Sequence, residues 1–292
     1  PTWDPRKKPK AFDKEKGESL RYGWLARTDE ESAEYGTRYW TGKNQEAEVP
    51  MKGDDTEIIM NEALDFIAKN AENEQEFFAV IWTHTPHLPV VVDQTSIEKY
   101  PNIPYQEQLY YGCITNLDSQ MGRLWEQLED LDIKENTAIF FCSGNGPEVN
   151  TPGSAGPFRG RKRDLYEGGL RVPAFCVWPE KLEAGTSIDF PSFTSDYYPT
   201  ILKMLDIENP HANTLDGTSL LSSLSGEINI RSKAMGFRYP NRMSWLTQTH
   251  KLISNDDGKT FELYNLIEDS GETTNLIEDQ PQLAKEMRSA LE

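Results

Sequence analysis

The chain has 292 residues, 37% hydrophobic and 11% aromatic, with a formal net charge of −18. That content is enough to bury a core and excludes a disordered tail, and so acidic a balance excludes nucleic acid as a partner, because phosphate binding needs a basic stripe. No apolar run approaches the roughly 20 residues of a membrane span, and Cys113, Cys142 and Cys176 form neither a disulfide framework nor a zinc spacing, so they read as small buried hydrophobes.

Residues 1–54 show no clean period yet carry Trp3, Tyr22, Trp24, Tyr35, Tyr39 and Trp40, too aromatic a set for a flexible linker. They read both as a functional, substrate-shaping excursion and as a segment that packs on N-terminal sequence, and the loop-like opening at Pro1 reads as the start of a piece of a longer protein. From Asp55 onward Ile58, Ile59, Ala63, Phe66 and Ile67 recur at helical spacing behind first-turn carboxylates, which predicts a helix over 55–70. Residues 77–83 are continuously apolar and predict a strand buried on both faces. A second helix is expected over 105–130 from Leu109, Cys113, Ile114, Leu117, Met121, Leu124 and Leu128. Further buried strands are expected over 137–142 and 172–177, with a helix over 195–205.

After about residue 206 the texture shifts to turn residues and then to three segments, 234–239, 245–254 and 261–266, that read as antiparallel strands. Asp257-Gly258 marks a hairpin between the last two, and Leu283, Ala284, Met287 and Leu291 predict a terminal helix behind Pro281. Helices alternating with apolar strands imply an α/β sandwich with a mostly parallel sheet. The expected organisation is an α/β core over 1–205, a linker over 206–230, and a small antiparallel C-terminal subdomain over 231–292.

Chemistry-bearing residues collect where the predicted strands end. Arg159, Arg161, Lys162 and Arg163 crowd one loop of a strongly acidic chain. A solvated basic loop is one reading and a nuclear-localisation-like run another, but the position between two strands is where open α/β sheets hold ligands, so the loop reads as an anion site. His84 and His87 sit among prolines in Thr83-His84-Thr85-Pro86-His87-Leu88-Pro89, where a fixed backbone would hold an imidazole for general acid chemistry. Ser143-Gly144-Asn145-Gly146-Pro147-Glu148 is a turn whose Asn145 carbonyl is suited to a hard cation.

Taken in order, Pro86-His87-Leu88-Pro89, Gly144-Asn145-Gly146-Pro147, and Lys162 followed by Tyr166-Glu167-Gly168-Gly169-Leu170-Arg171-Val172-Pro173 resemble the sulfatase family of the alkaline-phosphatase-like fold. The likeness continues through Asp196-Tyr-Tyr-Pro-Thr200, Leu215-Asp-Gly217, Glu262-Leu-Tyr264 and Glu272-Thr-Thr-Asn-Leu276. It implies an α/β/α sandwich and hydrolysis of a sulfate ester, with a sulfated carbohydrate or small sulfate ester as substrate, in an exported, periplasmic or extracellular protein. It also implies a formylglycine nucleophile and a calcium cofactor. By position it gives His87 the leaving-group oxygen, Lys162 the sulfate charge and Asn145 a calcium ligand; His84, three residues before His87, and Arg161 read as substrate contacts. Two departures stand out. No cysteine begins the Cys/Ser-x-Pro/Ala-x-Arg nucleophile motif, so the nucleophile is expected outside this chain, and Gly144 replaces the calcium-binding Asp of the family pattern. The alternatives are a phosphatase or phosphodiesterase of the same fold, or a non-catalytic module that binds sulfated glycans.

Overall fold

A computed structural model of the chain describes residues 24–27, 40–43, 45–46, 55–87, 90–149, 151–209 and 215–291. Trp3, Tyr22, Tyr35, Tyr39, Leu88 and Pro89 lie outside them. The chain divides into two compact units, Pro1–Glu135 and Asn136–Glu292.

In the first unit, helix α1 (Asp55–Glu72) forms where the apolar stripe predicts it, with Asp55 and Glu57 in the first turn and Lys69 in the last, complementing the helix dipole. Ile58, Leu64 and Ile67 are buried on its inner face. Helix α2 (Gln94–Glu98) is short, and α3 (Tyr105–Asp130) starts behind Pro104. Helices α1 and α3 are tied by Gln127, which donates to the Leu64 carbonyl at 2.7 Å, and by Arg123, which donates to Asn61 at 2.7 Å.

Strand β1 (Trp24–Arg27) pairs in parallel with β4 (Val90–Asp93), and β2 (Trp40–Gly42) pairs antiparallel with β3 (Gln45–Glu46). Residues 1–54 are therefore not wholly irregular: Trp24–Arg27 and the Val-Val-Val of β4 find each other across the chain. Val90, Val92, Ile97, Leu109 and Cys113 form a buried cluster, as expected for that thiol.

The strand expected over 77–83 does not form. Residues 77–82 make no backbone hydrogen bond among the described residues. Phe78, Val80 and Trp82 are 66%, 60% and 82% exposed, while Phe77 packs edge-on against Phe66 at 6.3 Å. The physical reason is that a strand is completed by its neighbours; an apolar run without a ladder stays extended but unpaired.

In the second unit, β5 (Ile139–Cys142) pairs with β6 (Ala174–Val177) antiparallel, so the parallel sheet expected from the helix and strand alternation is confined, among the described residues, to β1 and β4. Neither strand is sealed on two faces: β5 is half-buried throughout and Phe175, stacked on Phe141 at 4.9 Å, is 48% exposed. Between them lies a loop that, among the described residues, contains only the one-turn helix α4 (Glu167–Leu170). A 3-10 turn, Thr194–Asp196, runs into α5 (Tyr197–Met204), and α6 (Leu221–Leu224) follows. The Asp196 carboxylate is buried and takes a bidentate pair from Arg231 at 2.8 and 2.9 Å, plus the Thr218 amide at 2.7 Å, which accounts structurally for two of the sequence motifs that resemble the family pattern.

The C-terminal sheet is antiparallel in the order β10-β9-β8-β7, formed by Met235–Tyr239, Arg242–Leu246, His250–Ser254 and Glu262–Asn265 in chain order from β7. The single strand expected over 245–254 is two strands. Thr247 reverses the chain by donating its amide to the His250 carbonyl at 2.9 Å, and Asn241, at φ +62°, makes the preceding hairpin. The predicted Asp257-Gly258 turn forms, with φ of +64° and +84°. There the amide of Thr260 and its hydroxyl hold the Asp256 carboxyl down to about 2. Helix α7 (Pro281–Leu291) lays Ala284 and Met287 on Leu252 and Leu263, each large side chain contributing about 1.5–3 kcal/mol by burial.

Two expectations follow. Trp82 contributes little to stability as an exposed, unpaired residue, so Trp82→Ser should change the unfolding free energy by less than about 0.5 kcal/mol in urea denaturation; a loss above about 2 kcal/mol would show that this face is covered in solution. Burial lowers the pKa of His250 below its usual value. A depressed folded pKa gives stability that is complete above the unfolded value of about 6.5 and is lost as pH falls through the folded one. The denaturation midpoint should therefore drop between pH 7 and pH 5, and drop less in His250→Gln.

Candidate anion site on the basic loop

The loop between β5 and β6 is held by contacts between backbones. The amide of Gly146 donates to the Gly169 carbonyl at 3.0 Å, that of Lys162 to the Pro147 carbonyl at 3.0 Å, and that of Gly168 to the Arg159 carbonyl at 2.7 Å. A Cβ on Gly146 would stand 1.9 Å from the Gly168 carbonyl oxygen, and one on Gly168 would stand 2.3 Å from the Gly160 oxygen, so these positions require glycine by close approach. The Ser143–Glu148 turn and the basic run predicted from sequence are thereby one structure, bringing Asn145 and Lys162 onto neighbouring strands of backbone.

Each cation of the run has a different occupation. The Arg159 guanidinium lies 3.9 Å from the Tyr166 ring centroid and donates to the Tyr264 hydroxyl at 2.8 Å and the Glu272 carbonyl at 3.1 Å. Arg161 donates to the Glu148 and Gly153 carbonyls at 3.2 and 3.0 Å. Arg163 forms a two-pronged pair with Glu148 at 2.6 and 2.8 Å, and its hydrogen bond holds the Glu148 carboxyl below the usual carboxylate range. Lys162 Nζ stands 3.9 Å from Glu148 Oε2, outside hydrogen-bond reach, and its side chain is only 22% exposed. The three arginines brace the loop through hydrogen bonds, and the lysine head group makes only the longer ion contact with Glu148.

The loop is fixed from below by a group the sequence did not announce. Lys251, on β9, is fully buried and donates to Glu167 at 2.6 Å and to Glu272 at 3.0 Å. The other oxygen of Glu272 accepts the Glu167 amide at 2.6 Å. Around this triad Leu165 and Tyr166 pack with Ile253 and Tyr264, and burial pushes the Tyr166 hydroxyl up to about 12 beside Glu262. Glu167 and Glu272 belong to motifs quoted from the sequence, yet Lys251 is one lysine among many until the fold places it.

In the first unit, His84 and His87 lie on one tight turn, where the His87 amide donates to the His84 carbonyl at 2.6 Å. Both rings are exposed. His84 Nδ1 bonds the buried Asp55 carboxylate at the start of α1, and Thr56 and Thr85 share a hydroxyl hydrogen bond at 2.8 Å. Asp55 is the second functional candidate that sequence reasoning missed; the signal available was an acidic helix start.

The described residues of this turn do not by themselves complete a cation site. Gly144 has no side-chain oxygen and open space where a Cβ would be, Asn145 is exposed and offers one neutral carbonyl, and Glu148 is committed to Arg163. Among the described residues no group of three or more His, Cys, Asp or Glu could hold a metal, and no helix is long and apolar enough to cross a membrane.

This architecture and these loops match known proteins. The Sulfatase family profile matches residues 2–207, and the profile described as N-sulphoglucosamine sulphohydrolase, C-terminal, matches residues 156–292. The chain belongs to the sulfatase family. It is 31% identical over 176 residues to an N-acetylgalactosamine-6-sulfatase of Canis lupus familiaris, covering 59% of this chain and 33% of that protein. It is 28% identical over 257 residues to a sulfatase of Formosa agariphila, covering 77% and 46%. Among solved structures, Ps i-CgsB in complex with k-i-k-neocarrahexaose superposes with a TM-score of 0.77 at 23% identity, over 84% of this chain and 55% of that one, which establishes the alkaline-phosphatase-like fold. The chain thus spans a third to under half of the length of these curated relatives.

Removing the ammonium from the triad would leave two buried carboxylates facing each other. Lys251→Met should cost about 3–5 kcal/mol in denaturant unfolding, and adding Glu167→Gln and Glu272→Gln should recover part of it. A single-variant cost below about 1 kcal/mol would mean the triad is not what holds the loop to the sheet.

Proposed function

We propose that this chain supplies the leaving-group side of a sulfatase active site, acting on a sulfated carbohydrate. In hydrolysis of a sulfate ester the S–O bond to the alcohol breaks and negative charge collects on the departing oxygen. His87 gives that oxygen a proton, and the Lys162 ammonium stabilises the charge on it and on the sulfate oxygens, the kind of fixed electrostatic contribution that dominates such reactions. The observation that carries this reading is the division of labour in the basic loop: Arg159, Arg161 and Arg163 are hydrogen-bonded to protein acceptors and Lys162 is not, among the described residues. Arg161, whose guanidinium is turned onto two carbonyls, acts as a brace.

No formylglycine motif occurs in these residues, so the proposal gives this chain no attacking group. A carbohydrate substrate is supported by the relative named as an N-acetylgalactosamine-6-sulfatase and by the neocarrahexaose complex of the structural neighbour. Export from the cytoplasm belongs to the same reading. A non-catalytic glycan-binding role is the second reading, favoured by Gly144 and by the weak cation donors beside it.

Sulfate titration by calorimetry tests the anion site. Lys162→Met should weaken sulfate binding at least tenfold, whereas Lys181→Met, which removes an exposed lysine paired with its neighbour Glu180, should leave it unchanged. Equal effects would reduce the loop to general charge. The 292-residue chain should release no phenol from an aryl sulfate, and turnover abolished by His87→Ala would overturn the assignment of the attacking group elsewhere.

A further inference from the structure

We propose that Asp55 is a positioning residue that sets the tautomer of His84, so that His84 accepts a hydrogen bond from a substrate hydroxyl or amide instead of binding its sulfate. The inference rests on the reading above that the His84–His87 turn faces substrate. Asp55 is the first residue of α1 and its side chain is fully buried, while the His84 side chain is 57% exposed. The two meet at Asp55 Oδ2 and His84 Nδ1.

An ionised carboxylate only accepts hydrogen bonds, so the proton between them belongs to Nδ1. Burial pushes the Asp55 carboxyl up, and the hydrogen bond with His84 pulls it down. With Nδ1–H fixed, a neutral imidazole carries its lone pair on Nε2, the nitrogen turned away from Asp55.

The turn is pinned on both sides of the ring. Thr85 is bonded to Thr56, the second residue of α1, and the His87 amide to the His84 carbonyl. The imidazole is therefore presented in one orientation, and a second shell of this kind is how proteins commonly fix a histidine tautomer. Sulfate oxygens of an ester carry no hydrogen and cannot pair with a bare Nε2. A ring hydroxyl or an amide N–H of a sugar can. The two histidines of one turn then have opposite duties: His87 gives a proton and His84 takes a hydrogen bond, reading a group beside the sulfate and so selecting among sugars.

The experiment uses the chain labelled with nitrogen-15 histidine at pH 8, with the His84 ring assigned from its loss in His84→Gln. Long-range proton–nitrogen spectra should show Nδ1 protonated and Nε2 bare, and Asp55→Asn should shift the ring toward the Nε2–H form that imidazole prefers in water. Should Asp55→Asn fail to fold by circular dichroism, the wild-type spectrum alone decides: an Nε2–H ring in the wild type overturns the proposal, as does a tautomer unchanged in a folded variant. Galactose 6-sulfate should then move the Nε2 resonance upfield and sodium sulfate should leave it in place. An equal response to sodium sulfate, or none to the sugar, overturns the substrate contact. Failure of the sulfatase reading shows separately, as loss of any Lys162-dependent sulfate binding.

Discussion

The buried ammonium of Lys251, shared between Glu167 and Glu272, is the interaction on which the second unit depends. It joins strand β9 of the C-terminal sheet to the one-turn helix of the loop that carries the cations. Taking three charges out of water is costly, and in stability alone an apolar trio of the same volume would serve as well or better. What ions provide and an apolar contact cannot is direction: Glu272 accepts the Glu167 amide while both glutamates face one ammonium, so the turn at Glu167-Gly168-Gly169 can sit in one place only.

From that turn the order spreads through backbone contacts too close for any Cβ. Gly168 and Gly169 seat against the carbonyls of the basic run and against Gly146, so the position of Lys162 is inherited from Lys251 through main chain and not through flexible side chains. Arg159, stacked on Tyr166, and Arg163, clamped on Glu148, use up their charge in holding this shape. In a chain of net charge −18, a lysine that makes only a 3.9 Å ion contact with Glu148 is a local reversal of the field, which on the proposed reading is what an anionic ester meets.

What the sequence disclosed and what it hid separate along physical lines. The helices at Asp55–Glu72, Tyr105–Asp130 and Pro281–Leu291 were legible because their apolar stripes are local. So were the motif loops, since glycines, prolines and cations carry their meaning at short range. The Asp257-Gly258 turn was legible for the same reason, whereas the Thr247 reversal has no glycine or proline to announce it. The antiparallel sense of β5 and β6 was not readable, because alternation of helix and strand does not fix direction when the connection is a loop. The run 77–83 has strand composition, but pairing is a property of two segments and only one of them is visible in a run. Lys251 lies 84 residues from Glu167, and Asp55 lies 29 from His84, so neither partnership leaves a mark in local pattern.

The central claim is that the basic loop and the C-terminal sheet are one cooperative unit joined at Lys251. Native-state hydrogen exchange tests it most directly, by comparing the amides of Gly146, Gly168 and Gly169 with those of Leu252 and Ile253 across a denaturant series. The account predicts that loop and sheet amides merge into a single opening transition in the wild type. Loop amides that exchange freely while the sheet remains protected would contradict it.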